Sequence, residues 1–371
     1  DPTLSYEDNF DKGPPILSKN LTPPKRDIKK TYKFLGFDIN QTTVDLINRG
    51  RVPIVEPDLE KLISLNRKRL RASFDPHEVL FGSDITFVIV PTPSTKQGDF
   101  TTTYLESFFL LVAPSLKQKT KHHLFVVTST VSPGTTDEFL IPLIENLSER
   151  KVNKDFSICY SPEFIALGSV IHDMLNPDLV LIGESGHEAG NLLEKIYRQL
   201  CNNQPYIARM SLISAEITKL SLNAYVTTKI SFVNNLGAIC QQIPGADIDA
   251  ITQALGADRR ISPSYLKSGA AFGGPCFPRD NKAFRSFAKR FGVKAPLAGA
   301  TDKINLKQTK NLVEMVAKLI DHHNLNSISL LGLSYKTNTS IVEESAAIHF
   351  IKGFIKLYPK IKIHAYDPLP L

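Results

Sequence analysis

An α/β fold is predicted by three features of the chain: a doubly wound N-terminal domain, a central all-helical segment and a truncated second α/β unit. Short apolar runs alternate with helical periodicity over the first half, a long stretch without strand pattern follows, and the strand pattern resumes before the C-terminus. The runs are Tyr32 to Phe37, Ile85 to Val90, Leu124 to Thr128, Phe156 to Tyr160 and Leu179 to Ile182. Their near-continuous apolar character reads as parallel strands buried on both faces. From Ser211 to about Ile243 helical periodicity continues without Pro, and without Gly until Gly237, which predicts one long connecting helix. Further helices are expected over Asp247 to Leu255, Pro278 to Phe291 and Gly299 to His322. Ser327 to Leu331, a helix from Glu343 to Leu357 and Lys360 to Ala365 form a βαβ-like unit, small for an independent domain and therefore expected to be truncated. Residues 1–30 carry many Pro, Asp, Asn and Lys without apolar period and read as an irregular arm. The expected units are thus 1–30, 31–210, 211–325 and 326–371.

With 371 residues, 42% of them hydrophobic and 22% charged, the chain can build two or three cores. No apolar run reaches the ~18 residues of a membrane span, and no signal-peptide pattern opens the sequence, so no membrane association is expected and the cytoplasm is the expected compartment. Cys159, Cys201, Cys240 and Cys276 lack paired spacing, which argues against a disulfide framework and against a zinc site; no metal is expected. A net charge of +7 suits an anionic ligand such as a nucleotide diphosphate but is too modest and too dispersed to mark a nucleic-acid surface. The densest basic stretch, Lys25, Arg26, Lys29, Lys30 and Lys33, reads as a solvated face.

The strongest chemical candidate is Cys276 in Gly273-Gly274-Pro275-Cys276-Phe277-Pro278-Arg279-Asp280. The glycines permit close approach to a ligand, and Pro278 suits a first helical turn, so Cys276 is expected just before a helix N-terminus. That position favours a thiolate through free N–H groups and the helix dipole. Asp280 follows four residues later, within reach as a proton acceptor. A structural cysteine in a Gly/Pro turn is the plain alternative.

Lys219 and Asn223, four apart, share a helical face and together suit a developing oxyanion; a solvated Lys and an interior Asn are the alternative. Glu163, in Ser161-Pro162-Glu163-Phe164, lies at a strand's C-terminal end, where α/β sheets bind ligands. Val90-Pro91-Thr92-Pro93 and Thr128-Ser129-Thr130-Val131 end two more strands with hydroxyls suited to phosphate, ribose or water, or simply to a turn. Asp38 ends the first run, where a Rossmann-like fold places the acid that pairs with a ribose hydroxyl of NAD.

In order along the chain, Gly36-Phe37-Asp38-Ile39-Asn40, Pro53-Ile54-Val55-Glu56-Pro57, Val90-Pro91-Thr92-Pro93, Ser129-Thr130-Val131 and Ser161-Pro162-Glu163-Phe164 lead into Asn176-Pro177-Asp178, Lys219 with Asn223 and the Cys276 loop. Gly332-Leu333-Ser334-Tyr335-Lys336 and Tyr366-Asp367-Pro368 complete the set. Together they resemble the UDP-glucose/GDP-mannose dehydrogenase family, over about Gly36 to Pro368. The resemblance implies oxidation of the C6 alcohol of a UDP-sugar, of UDP-glucose or UDP-N-acetylhexosamine type, to a uronic acid with two NAD, for polysaccharide biosynthesis. It implies that Cys276 captures the aldehyde as a thiohemiacetal, oxidised next to a thioester. It implies that Glu163 activates the hydrolytic water, that Thr130 positions that water, and that Lys219, Asn223 and Asp280 manage the alcohol proton and oxyanion. Asp38, Pro91, Thr92 and Thr130 would face NAD. Tyr265, Lys267, Phe272, Gly273 and Lys336 would wrap the nucleotide sugar, and Arg260 would reach the neighbouring subunit's substrate, making a homodimer through the central helices.

Departures accompany the match. The family's opening Gly-x-Gly-x-x-Gly turn, which holds the NAD pyrophosphate at a helix N-terminus, has no counterpart before Gly36, where Gly13 stands alone. Ile341 and Glu343 occupy the places of an acid and an arginine, and Leu167 that of a second acid. These departures imply weakened NAD binding, and they define a competing reading: a non-catalytic relative that binds nucleotide sugar and dimerises without NAD.

Overall fold

A computed structural model describes residues 32–54 and 56–369; the expected N-terminal arm, Gly13, Val55 and all of the basic cluster except Lys33 lie outside the described residues. The chain runs β1 (Phe34–Phe37), α1 (Gln41–Asn48), α2 (Leu59–Asn66), β2 (Leu70–Ser73), α3 (Pro76–Gly82), β3 (Ile85–Val88), α4 (Thr103–Leu116) and β4 (His123–Val127). A π-helical segment (Thr135–Leu140) then leads into α5 (Ile141–Ser148), β5 (Phe156–Tyr160), α6 (Val170–Leu175), β6 (Leu179–Glu184), α7 (His187–Leu200) and β7 (Tyr206–Ser211). The helical segment holds α8 (Leu212–Cys240), α9 (Ile248–Ala257), α10 (Phe277–Arg290) and α11 (Pro296–His323). It is followed by β8 (Ser327–Leu331), α12 (Ala346–Leu357) and β9 (Lys362–Tyr366), with β8 and β9 parallel.

β4 and β5 are buried along their whole length because each face of the sheet is covered. Phe125 and Val127 of β4 join Phe156, Ile158 and Tyr160 of β5 on one face, against Phe109 of α4 and Ile144 of α5. Leu124 and Val126 face the other way, onto Ala189 and Leu193 of α7. This period-two division explains the continuous apolar runs, since both sets of alternating side chains need cover. The rings of Phe109, Phe125 and Phe156 meet edge to face at 5.3 and 6.3 Å between successive centroids, a geometry that adds about 0.5–1.5 kcal/mol per pair beyond burial.

The expectation of parallel strands is corrected at one place, and the described strands fall into separate sheets. β6 runs antiparallel to β5, its ladder pairing Cys159 with Glu184 and Tyr160 with Gly183, and then pairs parallel with β7. The sheet is also divided: β1 pairs with β2 alone, while β3, β4, β5, β6 and β7 form a separate five-stranded sheet. In a doubly wound dinucleotide fold with order 3-2-1-4-5-6, these strands fill positions 3, 2 and then 4 onward, with no described strand at position 1. Phe34 of β1 and Phe87 of β3 are exposed.

α8 is the long connector foreseen from periodicity. Its N-cap, Ser211, accepts from the Ser214 N–H, and with 29 residues it extends roughly 43 Å at 1.5 Å per residue. It packs on β6, α10 and α11. Gly183 of β6 makes that approach possible: a Cβ there would lie 2.8 Å from Ala215 Cβ and 3.0 Å from Leu212 Cα. Gly183→Ala therefore drives a methyl group into the Ala215 side chain and the Leu212 backbone of α8 and is expected to cost about 1–3 kcal/mol, read as a lower urea midpoint. An unchanged midpoint would contradict this contact.

Candidate active site

Lys219 and Asn223 lie one turn apart on a buried face of α8. Burial of an ammonium requires partners. Lys219 Nζ donates to the Glu163 carbonyl at 2.6 Å and sits 4.5 Å from the centroid of the Phe164 ring. Desolvation lowers the Lys219 pKa, opposed first by Asp280 and then by Cys276. The same enclosure raises the Glu163 carboxyl, with Lys219 pulling it back. Asn223 Nδ2 donates to Asp280 Oδ2 at 2.7 Å, and both residues are buried. One face of α8 thus grips the loop after β5 on one side and the first turn of α10 on the other.

Cys276 is the N-cap of α10, as its sequence context predicts, and its carbonyl accepts from the Asp280 N–H at 2.8 Å. The residue as a whole is exposed at the surface of the loop. The expectation of a favoured thiolate is corrected, however. Crowded surroundings raise the thiol pKa, and Asp280 adds to the effect; Arg279 and Lys219 oppose it without prevailing. The fields of two carboxylates and two cations compete here, and the helix terminus does not decide the outcome.

The loop before Cys276 is held by groups distant in sequence. Asn305 of α11 accepts from the Phe272 N–H at 2.8 Å and donates to its carbonyl at 2.9 Å. Gly274, at φ +83°, lets the Tyr335 ring lie where a Cβ would come within 2.6 Å of it, and its N–H donates to the Glu343 carbonyl. A Cβ on Gly273 would strike the Glu344 carbonyl. Lys336, the residue after Tyr335, therefore belongs to a loop packed on the cysteine loop. Tyr265, Lys267 and Phe272 line a cleft of about 630 Å³ with Asp249, Thr252 and Gln253 of α9, within the size range of small-ligand sites.

Thr92 and Thr130 meet at the ends of β3 and β4, where Thr92 Oγ1 donates to the Thr130 carbonyl at 2.6 Å. Ser129 Oγ is likewise engaged by both the N–H and the carbonyl of Val90. These hydroxyls knit the strand ends together instead of offering their protons outward. Pro91 lies between these contacts. Thr128 Oγ1, buried at the end of β4, has no hydrogen-bond partner among the described residues. Asp38 ends β1, in the smaller sheet, and accepts from the Asn40 N–H at 2.7 Å. Asp38 stands where a Rossmann-like fold sets an acid beside the ribose of NAD, while no described residue forms a glycine-rich turn for its pyrophosphate. Arg260 is exposed and paired with Asp258 of its own chain at 2.6 Å, outside the group around Cys276.

Sequence reasoning passed over Glu216, Asn305, Tyr160 and Tyr335. Glu216 carried a signal, since it stands three residues before Lys219 and seven before Asn223 on the same helical face, and Tyr335 another, next to Lys336 in its motif. Among the described residues no group of His, Cys, Asp and Glu has a metal-holding arrangement, and no helix is long and apolar enough to cross a membrane.

The NAD binding domain of the UDP-glucose/GDP-mannose dehydrogenase family matches residues 28–201, and the central domain of that family matches residues 213–307. The chain is 34% identical over 328 residues to the GDP-mannose 6-dehydrogenase of Pseudomonas aeruginosa, covering 87% of this chain and 73% of that protein. It is 31% identical over 344 residues to a UDP-glucose 6-dehydrogenase of Bacillus subtilis, covering 91% and 71%. A UDP-glucose dehydrogenase structure from Pyrobaculum islandicum superposes with a TM-score of 0.81 at 29% identity, covering 90% of this chain and 76% of that one.

The competing charges around Cys276 make its titration testable. Alkylation by iodoacetamide, which needs the thiolate, is expected to rise through a midpoint above that of a free cysteine. Asp280→Asn removes a charge that raises the pKa and should move the midpoint down; Lys219→Met removes one that lowers it and should move it up. Midpoints that coincide in all three proteins would contradict the assigned electrostatics.

Proposed function

Since the chain belongs to the UDP-glucose/GDP-mannose dehydrogenase family, an NAD-dependent oxidoreductase family, we propose that it oxidises the C6 alcohol of a UDP-sugar to the uronic acid through covalent capture on Cys276. The observation that carries this reading is the convergence on one site of Lys219, bonded to the Glu163 backbone, Asn223, bonded to Asp280, and the cysteine one turn before Asp280.

Each group has a task its surroundings allow. NAD, when bound, takes up the hydride in each oxidation. Lys219 and Asn223 hold the C6 oxygen while its proton passes to solvent water, and both have donors to do so: Lys219 gives one of three N–H groups to Glu163, and Asn223 one of two to Asp280. Cys276 sulfur then bonds to the aldehyde carbon. Because its thiol is held protonated, the proton must pass to a neighbour, and Asp280 in the next helical turn is suited to receive it. Asp280 passes that proton to the former carbonyl oxygen, giving the thiohemiacetal, and the second oxidation, in which a hydride leaves the carbon and the hydroxyl proton returns to Asp280, gives the thioester. Water then attacks the thioester carbon, Glu163 takes a proton from that water, the carbon–sulfur bond breaks, and acid and thiol are released. The raised carboxyl of Glu163 makes it a stronger base than an ordinary glutamate. Thr130 positions the water.

Tyr265, Lys267 and Phe272 supply the substrate cleft, with Gly273 at its edge in sequence and Lys336 contributing from the adjoining loop. Tyr225, Phe232 and Ile239 are exposed seven residues apart along α8, a spacing that suits helix-to-helix packing in a homodimer, in which Arg260 would reach the partner's substrate. The product is a uronic acid for polysaccharide, made in the cytoplasm. A second reading, a relative that binds nucleotide sugar without NAD, draws on the divided sheet. Quenching of NADH fluorescence separates the two, because saturable binding is expected only of the enzyme.

Cys276→Ser should abolish acid formation in an assay of NAD reduction against a panel of nucleotide sugars, and undiminished turnover would rule out covalent capture. Glu163→Gln should accumulate a sugar-bound chain, seen as an increase in intact mass located on Cys276. If the variant instead loses substrate binding, its role as base is wrong.

A further inference from the structure

We propose that Glu216 is a positioning residue for thioester hydrolysis, clamping the loop that carries Thr130 to the helix that carries Lys219 and Asn223. The inference rests on the reading of Cys276 as the acyl carrier. Glu216 is 0% exposed on α8; burial raises its carboxyl pKa, and hydrogen bonds from Thr136 and Gly134 oppose that rise. One oxygen accepts from the Gly134 N–H at 2.6 Å; the other accepts from the Thr136 N–H at 2.8 Å and from the Thr136 hydroxyl at 2.6 Å. These donors open the π-helical segment, whose own N-cap residue, Gly134, has no side chain with which to cap it. The cap therefore comes from the central helix, across a sequence separation of 80 residues or more.

The consequence lies in what this joins. Thr130 stands four residues before Gly134, and its carbonyl is already tied to Thr92. That contact, with Ser129 on Val90, refers the loop to the neighbouring strand and to nothing on α8. Glu216 provides the reference to α8. One helical turn further on, Lys219 is bonded to the Glu163 carbonyl. Water-positioning hydroxyl and general base thereby take their relative placement from two buried groups on one rigid helix. Tyr160, whose phenol is fully buried, borders the same wall: burial raises its pKa strongly, and the carboxylates of Glu216 and Asp280 raise it further. A residue that merely caps a helix would affect every step alike. One that sets the water should affect hydrolysis alone.

p-Nitrophenyl acetate tests this without NAD. Cys276 displaces p-nitrophenolate to form the S-acetyl thioester, and water then releases acetate and regenerates the thiol; release of p-nitrophenolate reports the first step, and loss of the acetyl mass the second. Glu216→Gln keeps the volume but turns an amide N–H toward backbone donors. It is expected to acylate within about twofold of the parent rate while deacylating about tenfold or more slowly, as small misplacements of reacting groups do. Thr136→Val removes only the hydroxyl donor and should shift deacylation in the same direction by less. Deacylation at the parent rate in Glu216→Gln, or equal slowing of both steps, overturns the proposal. Should Glu216→Gln fail to fold, Thr136→Val decides, and unchanged deacylation there overturns it. Failure of Cys276 in the parent protein to acylate at all, with the same result in Cys276→Ser, removes the covalent reading and this inference with it.

Discussion

Burial of polar side chains along one face of α8 is the constraint on which the rest of the site depends. Glu216, Lys219 and Asn223 are taken out of water together, and each must find a partner that water no longer supplies. The partners belong to three other segments: the start of the π-helical segment, the loop after β5 and the first turn of α10. A helix that satisfied these groups locally would pack equally well but would organise nothing. Because it satisfies them at a distance, α8 fixes the loop ends of the N-terminal sheet and the cysteine loop in one frame, with Gly183 allowing the helix to lie close enough to do so.

The same economy of contact explains the loop before Cys276. Gly273 and Gly274 are read in sequence as permitting a ligand to approach, whereas in the structure they also admit Glu344 and Tyr335 from the C-terminal unit. That unit contributes to the site through the loop between β8 and α12. Glu343 adds negative potential near Cys276 and raises its thiol pKa further. The thiol state at rest is therefore a property of two units of the chain, and Asp280 and Lys219 tune it from the third side.

Much of this was legible in the sequence where chemistry and pattern coincide. β5 and β8 lie on the residues their apolar runs indicate, and α8 follows from an uninterrupted period. β2 and β7 escaped because Arg71, Tyr206 and Arg209 break the apolar run expected of buried strands. The reversal of β6 was invisible for a different reason: a run's composition reports burial, not direction. Among site residues, Lys219, Asn223, Asp280 and Glu163 were marked by side-chain chemistry at meaningful spacing. Asn305 was not, because it acts on the backbone of a residue 33 positions away. The thiolate expected at Cys276 failed because the helix terminus was weighed without the desolvation and the Asp280 charge that oppose it.

The central claim is that one cysteine carries a sugar through two successive oxidations before water releases it. The measurement that bears on it most directly is the ratio of NADH formed to nucleotide sugar consumed at completion, with the product identified by mass. The account predicts two NADH per sugar and a free uronic acid, with no aldehyde in solution. One NADH per sugar with a released aldehyde would contradict it, since the sulfur would then have no part in the chemistry.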